Sequence, residues 1–112
     1  MKFINMTPHN ISIMLENGMI RTIKTSGQVA RLDATFEKLG VYKGIPILQR
    51  KMGRVENLPS EKLGVNAYIV SSMILSALPA RADLYAPDTG ATAIRKDGRI
   101  IAVRNLIRGD SK

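Results

Sequence analysis

The chain has 112 residues, of which 45% are hydrophobic and 23% charged, values that are ordinary for one globular domain. It contains no cysteine and no tryptophan, so disulfides, thiolate metal sites and cysteine nucleophiles are excluded. Its formal net charge is +8, and a domain this basic is expected to meet an anionic partner. We expect a single compact domain over residues 1–112, with a thin aliphatic core that favours self-association.

No leader or membrane segment is expected. The start of the chain turns polar by Asn5, which does not fit a signal peptide. No apolar run reaches the roughly 18 residues that a membrane helix needs. Together with the absence of cysteine, these features predict a cytoplasmic protein.

The first predicted elements are a β-hairpin and a third strand. Alternating apolar residues predict a strand over residues 11–15, and Asn17-Gly18 predicts the turn, because this pair tolerates the positive φ angles of a type I′ turn. The chain is expected to return as a strand over residues 19–25. Ser26-Gly27 predicts a second turn, which leads into a strand over residues 28–33.

A second hairpin is predicted around Lys43-Gly44 and spans residues 41–52. Pro46 is expected at a strand start or edge, where the backbone needs no amide donor. The segment before this hairpin, residues 34–39, is expected to be either a short extension of the preceding strand or irregular. The segment after it, residues 53–64, is expected to turn away as a loop.

The most apolar segment predicts a buried strand followed by a helix. The strand covers residues 67–70, and Ser71-Ser72 offers hydroxyls that can cap the start of the helix. The helix is expected over residues 73–78 and ends at Pro79. Residues 81–90 are expected to form a loop with one short extended piece.

A last hairpin is predicted from residues 91–95 and 99–106, joined at Asp97-Gly98. No alternation of strands with helices is visible, so a parallel sheet of the Rossmann type is disfavoured. The sequence therefore predicts an α+β fold of mostly antiparallel β-hairpins with one short central helix.

Groups able to carry out catalysis are sparse. His9 is the only histidine, and its setting in Thr7-Pro8-His9-Asn10 favours hydrogen bonding within a turn over a catalytic role. Asp83 and Asp88 lie on one predicted loop, but the simpler interpretation of Asp83 is an ion pair with Arg81. We therefore expect no enzyme activity, no metal site and no cofactor.

One phosphate site is predicted at Ser26, Gly27 and Arg31. Amides beside a glycine, a hydroxyl and a guanidinium can together hold a phosphate. A simple tight turn is the commoner explanation of the same residues. Neither GxGxxG nor GxxxxGK[ST] occurs in the chain.

Four arginines stand among apolar or small residues: Arg31, Arg81, Arg95 and Arg104. Guanidinium groups match phosphates bidentately and stack on flat rings, and Tyr85 offers a stacking face close to Arg81. These residues together predict a pocket for a small anionic ring compound, such as a nucleotide. The alternative is that the arginines occupy solvent-facing strand positions and serve only solubility.

Nucleic acid is a disfavoured alternative partner, although the charge fits it. The sequence has no helix-turn-helix, zinc-finger or RNP motif, and its aromatic content of 4% is too low for a stacking platform. A nucleic-acid-binding, structural or assembly role is the alternative to nucleotide binding.

An ordered set of short motifs, spread over nearly the whole chain, resembles a family of small phage and prophage proteins. The motifs are Asn5-Met6-Thr7-Pro8-His9, Thr25-Ser26-Gly27-Gln28-Val29-Ala30-Arg31, Gly44-Ile45-Pro46-Ile47, residues 53–59, Tyr68-Ile69-Val70-Ser71, residues 81–87 and Gly98-Arg99-Ile100-Ile101. The family is that of the Thoeris anti-defence proteins, which act as sponges for immune signals.

This resemblance implies binding of a cyclic ADP-ribose isomer without hydrolysis, and in some members binding of cyclic oligonucleotides at a second site of a hexamer. It implies a homo-oligomer, a dimer or a hexamer, in the cytoplasm of an infected bacterial host. Arg31 would hold a phosphate and Tyr85 would stack on the base. On this basis we expect a protein that sequesters a cyclic nucleotide signal and so counters anti-phage defence.

Overall fold

The computed structural model describes residues 1–109, so residues 110–112 of the predicted domain lie outside the described residues. Within residues 1–109 the chain forms ten strands and one helix. The elements are β1 (Lys2–Asn5), β2 (Ile11–Met14), β3 (Ile20–Ile23), β4 (Arg31–Tyr42), β5 (Ile45–Glu56), β6 (Asn66–Ile69), α1 (Ser72–Ala77), β7 (Leu84–Pro87), β8 (Ile94–Lys96), β9 (Arg99–Ala102) and β10 (Leu106–Arg108).

A four-stranded mixed sheet in the order β1-β6-β7-β10 is the centre of the fold. Strands β1, β6 and β7 are parallel, and β10 is antiparallel to β7. The segment β6-α1-β7 is therefore a parallel crossover, which the sequence did not predict. Its helix has only six residues and its strands four each, too short to give a clear alternating signal.

The predicted cap of the helix is confirmed. The Ser71 side chain accepts a hydrogen bond from the amide of Ile74 at 3.3 Å, and Ser71 itself has extended backbone angles. The helix ends before Leu78, whose backbone is no longer helical, and Pro79 follows. Ile74 and Leu75 bury its apolar side against the sheet.

Both faces of the central sheet are covered, because alternate residues of each strand point to opposite sides. On one face, Tyr68, Val70 and Leu84 pack with the helix, Met6 and Ala30. On the other face, a smaller cluster covers the sheet. It is formed by Ile11, Ile69 and Val103, with Phe3, Ile13, Ile23, Ala93 and Leu106 packed around them.

Three antiparallel hairpins surround this sheet: β2-β3, β4-β5 and β8-β9. The positions of their predicted turns are confirmed, but the type I′ conformation is confirmed only at Lys43-Gly44 and Asp97-Gly98 and is wrong for Asn17-Gly18. Lys43 and Gly44 have φ values of 50° and 79°, and Asp97 and Gly98 have 54° and 78°, as type I′ turns require. In the turn at Asn17-Gly18 only Gly18 has a positive φ, at 84°.

The largest difference from the predicted elements is the length of β4 and β5. For residues 34–39 the alternative of a strand extension is correct, although the extension is longer than expected; residues 53–56 were expected to be loop. Both segments belong to strands of 12 residues that pair along their length. This pairing includes two register shifts, at Leu32/Ala34 and Lys38/Gly40, and these bulges break the strict alternation that a sequence pattern would reveal.

Two strand boundaries also need correction. Residues 28–30 precede β4 and are not a strand, because β4 begins at Arg31. Leu106 does not belong to the last hairpin, since it starts β10 and pairs with Pro87 of the central sheet. Between residues 1 and 109, the structure has no helix that is long and apolar enough to cross a membrane.

Candidate functional site

A groove of about 290 Å3 opens between the start of β2, the end of β7 and the β9 strand. Its floor is apolar, and its polar lining residues are His9 and Asn10 in the turn before β2, Ser12 on β2, and Thr89 in the loop after β7. The lining residues are His9, Asn10, Ile11, Ser12, Pro87, Thr89, Ile100, Ile101, Ala102 and Val103.

The first edge of the groove is held by Asn5, which is only 1% exposed. Its Nδ2 donates to the carbonyl oxygens of His9 at 2.8 Å and Ile23 at 3.0 Å. Its Oδ1 accepts from the amide of Thr7 at 2.9 Å. One buried amide therefore fixes the whole turn that carries His9, because every polar atom of its side chain is occupied.

The backbone carbonyl of His9 thus takes part in the turn, and the hydrogen-bonding role predicted for its imidazole stays a prediction. His9 is among the residues that line the groove. The neighbouring Asn10 is held as well, since its Oδ1 accepts from the amide of Thr25 at 3.0 Å. Ser12 shares a hydrogen bond of 3.0 Å with Thr22 on the adjacent strand β3.

The second edge is the loop between β7 and β8, and two side chains hold it. Asp88 accepts hydrogen bonds from the amide of Gly90 and the hydroxyl of Thr92, both at 3.0 Å. These bonds favour the carboxylate, the Gly90 amide most strongly, so the pKa of Asp88 lies below its ordinary value. Arg95 donates to the carbonyls of Thr89 at 2.9 Å and Gly90 at 3.1 Å.

The floor joins these two edges. Ile11, Ala102 and Val103 are buried, whereas Ile100 and Ile101 are 42% and 53% exposed. Such a surface can take the face of a flat or aliphatic ring, while His9 and Thr89 meet polar atoms at its rim. Both edges are fixed by internal hydrogen bonds, so binding would require little reordering of the loops.

Arg95 is the predicted site residue most closely connected with the groove, because it holds the Thr89 backbone. Arg81 has a different role. Its guanidinium binds both oxygens of Asp83, at 3.0 and 2.8 Å, and Asp83 is 3% exposed. The ion pair that the sequence suggested for Asp83 is confirmed.

Tyr85 and Arg104 lie outside the groove. The Tyr85 ring is half-buried and meets Phe3 edge to face, with a centroid distance of 6.0 Å. Arg104 donates from Nη1 to the sulfur of Met14 at 3.4 Å. Both contacts are made within the chain.

The predicted phosphate site also lies elsewhere. Ser26 donates from Oγ to the carbonyl of Gln28 at 3.1 Å, and Gly27 has a φ of 90°, so these residues form a tight turn. Arg31 is exposed at the start of β4, opposite Glu56. The four arginines are not gathered in this groove. A second cavity does not gather them either, since it is lined by Leu75, Ser76, Pro79, Ile107, Arg108 and Gly109.

Sequence reasoning missed most of the groove. Ile100 and Ile101 were read as ordinary strand residues, and Thr89 as part of a loop, because their meeting depends on long-range packing. The sequence pattern that could have pointed to the groove is the run from Asn5 to Asn10, whose turn-forming residues indicate an ordered loop. Over residues 1–109, no three side chains of His, Asp or Glu come together as a metal site.

Comparison with family models, curated proteins and solved structures gave no match to this chain.

Proposed function

We propose that this protein is a non-enzymatic binding protein that sequesters a small cyclic nucleotide in the groove between His9 and Thr89. The observation that carries the proposal is the pairing of an apolar floor with two polar, internally braced edges. The flat base lies on Ile100 and Ile101, and the polar rim meets the sugar or phosphate.

Size and charge support this ligand class. A groove of about 290 Å3 is at the small end of ligand sites, which typically measure roughly 300–1,000 Å3. It accommodates a base with part of a ribose and leaves phosphates near the surface. The net charge of +8 favours the approach of such an anion.

The lining supports binding without conversion of the ligand. His9 is the only ionisable side chain among the lining residues, and no carboxylate stands beside it there. A lone imidazole lacks the second group that would orient it or share proton transfer. The ligand is therefore retained intact.

The resemblance to Thoeris anti-defence proteins extends the proposal to a particular signal. In this form, the ligand is a cyclic ADP-ribose isomer, and its capture counters anti-phage defence in the bacterial cytoplasm. The resemblance also implies contacts with Arg31 and Tyr85; these residues do not line the groove, and their contacts remain a separate prediction.

The test is retention of a cyclic ADP-ribose isomer. The protein is incubated with the ligand, separated from free ligand, heated and assayed for the released compound by mass spectrometry. We expect intact ligand from the wild type and at least tenfold less from Ile101→Asp. Ile20→Asp is the matched control, because Ile20 is 52% exposed and lies outside the groove.

Two results would overturn the proposal. Release of a cleaved product would indicate an enzyme, and absence of retained ligand would remove nucleotide sequestration. An equal decrease of retained ligand in Ile101→Asp and Ile20→Asp would show that the ligand does not bind in the groove. A steep dependence of DNA binding on salt concentration would instead support the nucleic-acid alternative.

A further inference from the structure

The hairpin β4-β5 extends from the fold as a two-stranded arm. Twelve residues of extended strand span about 40 Å, whereas only the first residues of the arm contact the core. There, Leu32 and Val55 pack against the cluster that contains the helix. Eight large apolar side chains farther along are between 41% and 65% exposed: Phe36, Leu39, Val41, Tyr42, Ile45, Ile47, Leu48 and Met52.

The strand register divides these side chains between two faces, because directly opposed residues share a face. The face that continues from Leu32 and Val55 is called the inner face. Beyond the root of the arm it carries Ala34, Phe36, Lys38, Val41, Pro46, Leu48, Arg50 and Met52. Six of these eight residues are apolar or proline.

The other face is polar in the middle of the arm and apolar at its tip. In the middle, Thr35 is opposite Lys51, Glu37 is opposite Gln49, and Lys51 forms a salt bridge of 3.0 Å with Glu37. At the tip, Tyr42 is opposite Ile45 and Ile47 is opposite Gly40. Only the inner face is therefore mainly apolar along the whole arm, as is typical of a sheet face that is covered. A two-stranded ribbon is also only marginally stable in water by itself.

We propose that the inner face of this arm is the surface through which two copies of this chain associate, with their arms antiparallel. The proposal is independent of nucleotide binding. The core lies on the inner side at the root of the arm, so parallel stacking would bring the two cores into collision. Antiparallel stacking places each tip near the other copy's core.

The arrangement of charge fits a second copy. The row Phe36–Arg50 is followed by the row Lys38–Leu48, so each row has one large apolar and one basic side chain, on alternate strands. The two inner faces can stack with the arms antiparallel and with the two-fold axis between these two rows. Phe36 of one copy then contacts Lys38 of the other, and Arg50 contacts Leu48. Aromatic and aliphatic surfaces then cover the basic side chains, and like charges are not opposed.

The apolar area is that of a small interface. Four of the eight large side chains lie on the inner face: Phe36, Val41, Leu48 and Met52. Covering them removes on the order of 350 Å2 per copy from water, about half of the ~800 Å2 per partner of a standard interface, and the stems of Lys38 and Arg50 add to this area. The inner face carries two cations, Lys38 and Arg50, among six apolar or proline residues, whereas a nucleic acid is bound through many cations along its phosphates. We therefore favour a second copy of the chain over a nucleic acid.

The test is the oligomeric state measured by sedimentation and light scattering at micromolar concentration. We expect the wild type to be a dimer or a multiple of dimers, and Phe36→Glu/Leu48→Glu to be at least a hundredfold weaker in association. The matched control, Thr35→Glu/Gln49→Glu, changes the polar face of the same rows and is expected to associate as the wild type does. Circular dichroism establishes that each variant is folded.

A cross-linking measurement keeps the test decisive if the double variant unfolds. The chain has no cysteine, so single cysteines report positions directly. A short bis-maleimide is expected to link two Lys38→Cys chains efficiently and two Gln49→Cys chains poorly. A monomeric wild type, or equal cross-linking at both positions, would overturn the proposal. A monomeric wild type that retards a DNA duplex would assign the arm to nucleic acid instead.

Discussion

Arg81 binds both carboxylate oxygens of Asp83, with Nε 3.0 Å from Oδ1 and Nη2 2.8 Å from Oδ2. The same Oδ2 accepts from the amide of Lys62 at 3.3 Å. Asp83 is buried directly before β7, so this pair joins the loop ahead of β6 to the edge of the core. The guanidinium of Arg81 is therefore committed to the fold.

Arg81→Ala is expected to lower the free energy of unfolding by about 3 kcal/mol, because it leaves a buried carboxylate without its counter-ion. Urea denaturation measures the change. Arg104→Ala, which removes an exposed arginine, is the control and is expected to cost less than about 0.5 kcal/mol. If the two substitutions lowered the free energy of unfolding equally, the ion pair of Arg81 with Asp83 would contribute no more to stability than an exposed arginine does.

Asn5→Ala is expected to lower the free energy of unfolding by about 2 kcal/mol, since the carbonyls of His9 and Ile23 lose their donor. It is also expected to weaken ligand retention, because the His9 turn would no longer be fixed. Denaturation and calorimetric titration measure the two effects. Asn10→Ala, which removes one exposed hydrogen bond, should cost less than half as much; a larger cost would contradict this account.

The hydrogen bonds to Asp88 predict a pH dependence of the groove edge. They lower the pKa of Asp88 in the folded state below its ordinary value of 3.8. Their stabilisation is therefore present above pH 3.8 and is lost as the pH falls below that value, through the folded pKa. The Gly90 amide resonance should shift in that range in the wild type. In Asp88→Asn this acid transition should be absent; its persistence would point to another group.

Arg95→Ala is expected to weaken ligand binding about tenfold while changing the free energy of unfolding by less than about 1 kcal/mol, because its two bonds fix an exposed loop. Titration calorimetry measures the affinity.

Arg31→Ala tests whether Arg31 binds a phosphate of the ligand directly. If it does, the substitution is expected to weaken the free energy of binding by more than about 1.5 kcal/mol. Unchanged affinity for Arg31→Ala would remove that residue from the site.

Local sequence signals predicted the elements that are decided locally. The turns at Lys43-Gly44 and Asp97-Gly98 depend on which residues tolerate positive φ, and the helix cap depends on one hydroxyl at Ser71. These features need no information from distant parts of the chain. Their positions were therefore correct to within one or two residues.

Elements that depend on contacts between residues far apart in the sequence could not be predicted from local residues. The parallel pairing of β6 with β7 follows from packing against the helix, and strands of four residues carry little periodic signal. The extension of β4 and β5 depends on cross-strand pairing through two bulges. The groove has the same origin, since Thr89 and Ile101 come together only after the sheet and hairpins have packed.

The free length of the β4-β5 ribbon has a kinetic consequence. Away from the core, the backbone amides of β4 and β5 are hydrogen-bonded only within the ribbon, and no other part of the described chain packs over them. Local opening of the ribbon therefore exposes little buried surface. In dilute solution the hydrogens of these amides should exchange with deuterium much faster than those of the central sheet. As the protein concentration rises, exchange along the ribbon should slow, whereas exchange in β6 and β7 should stay constant.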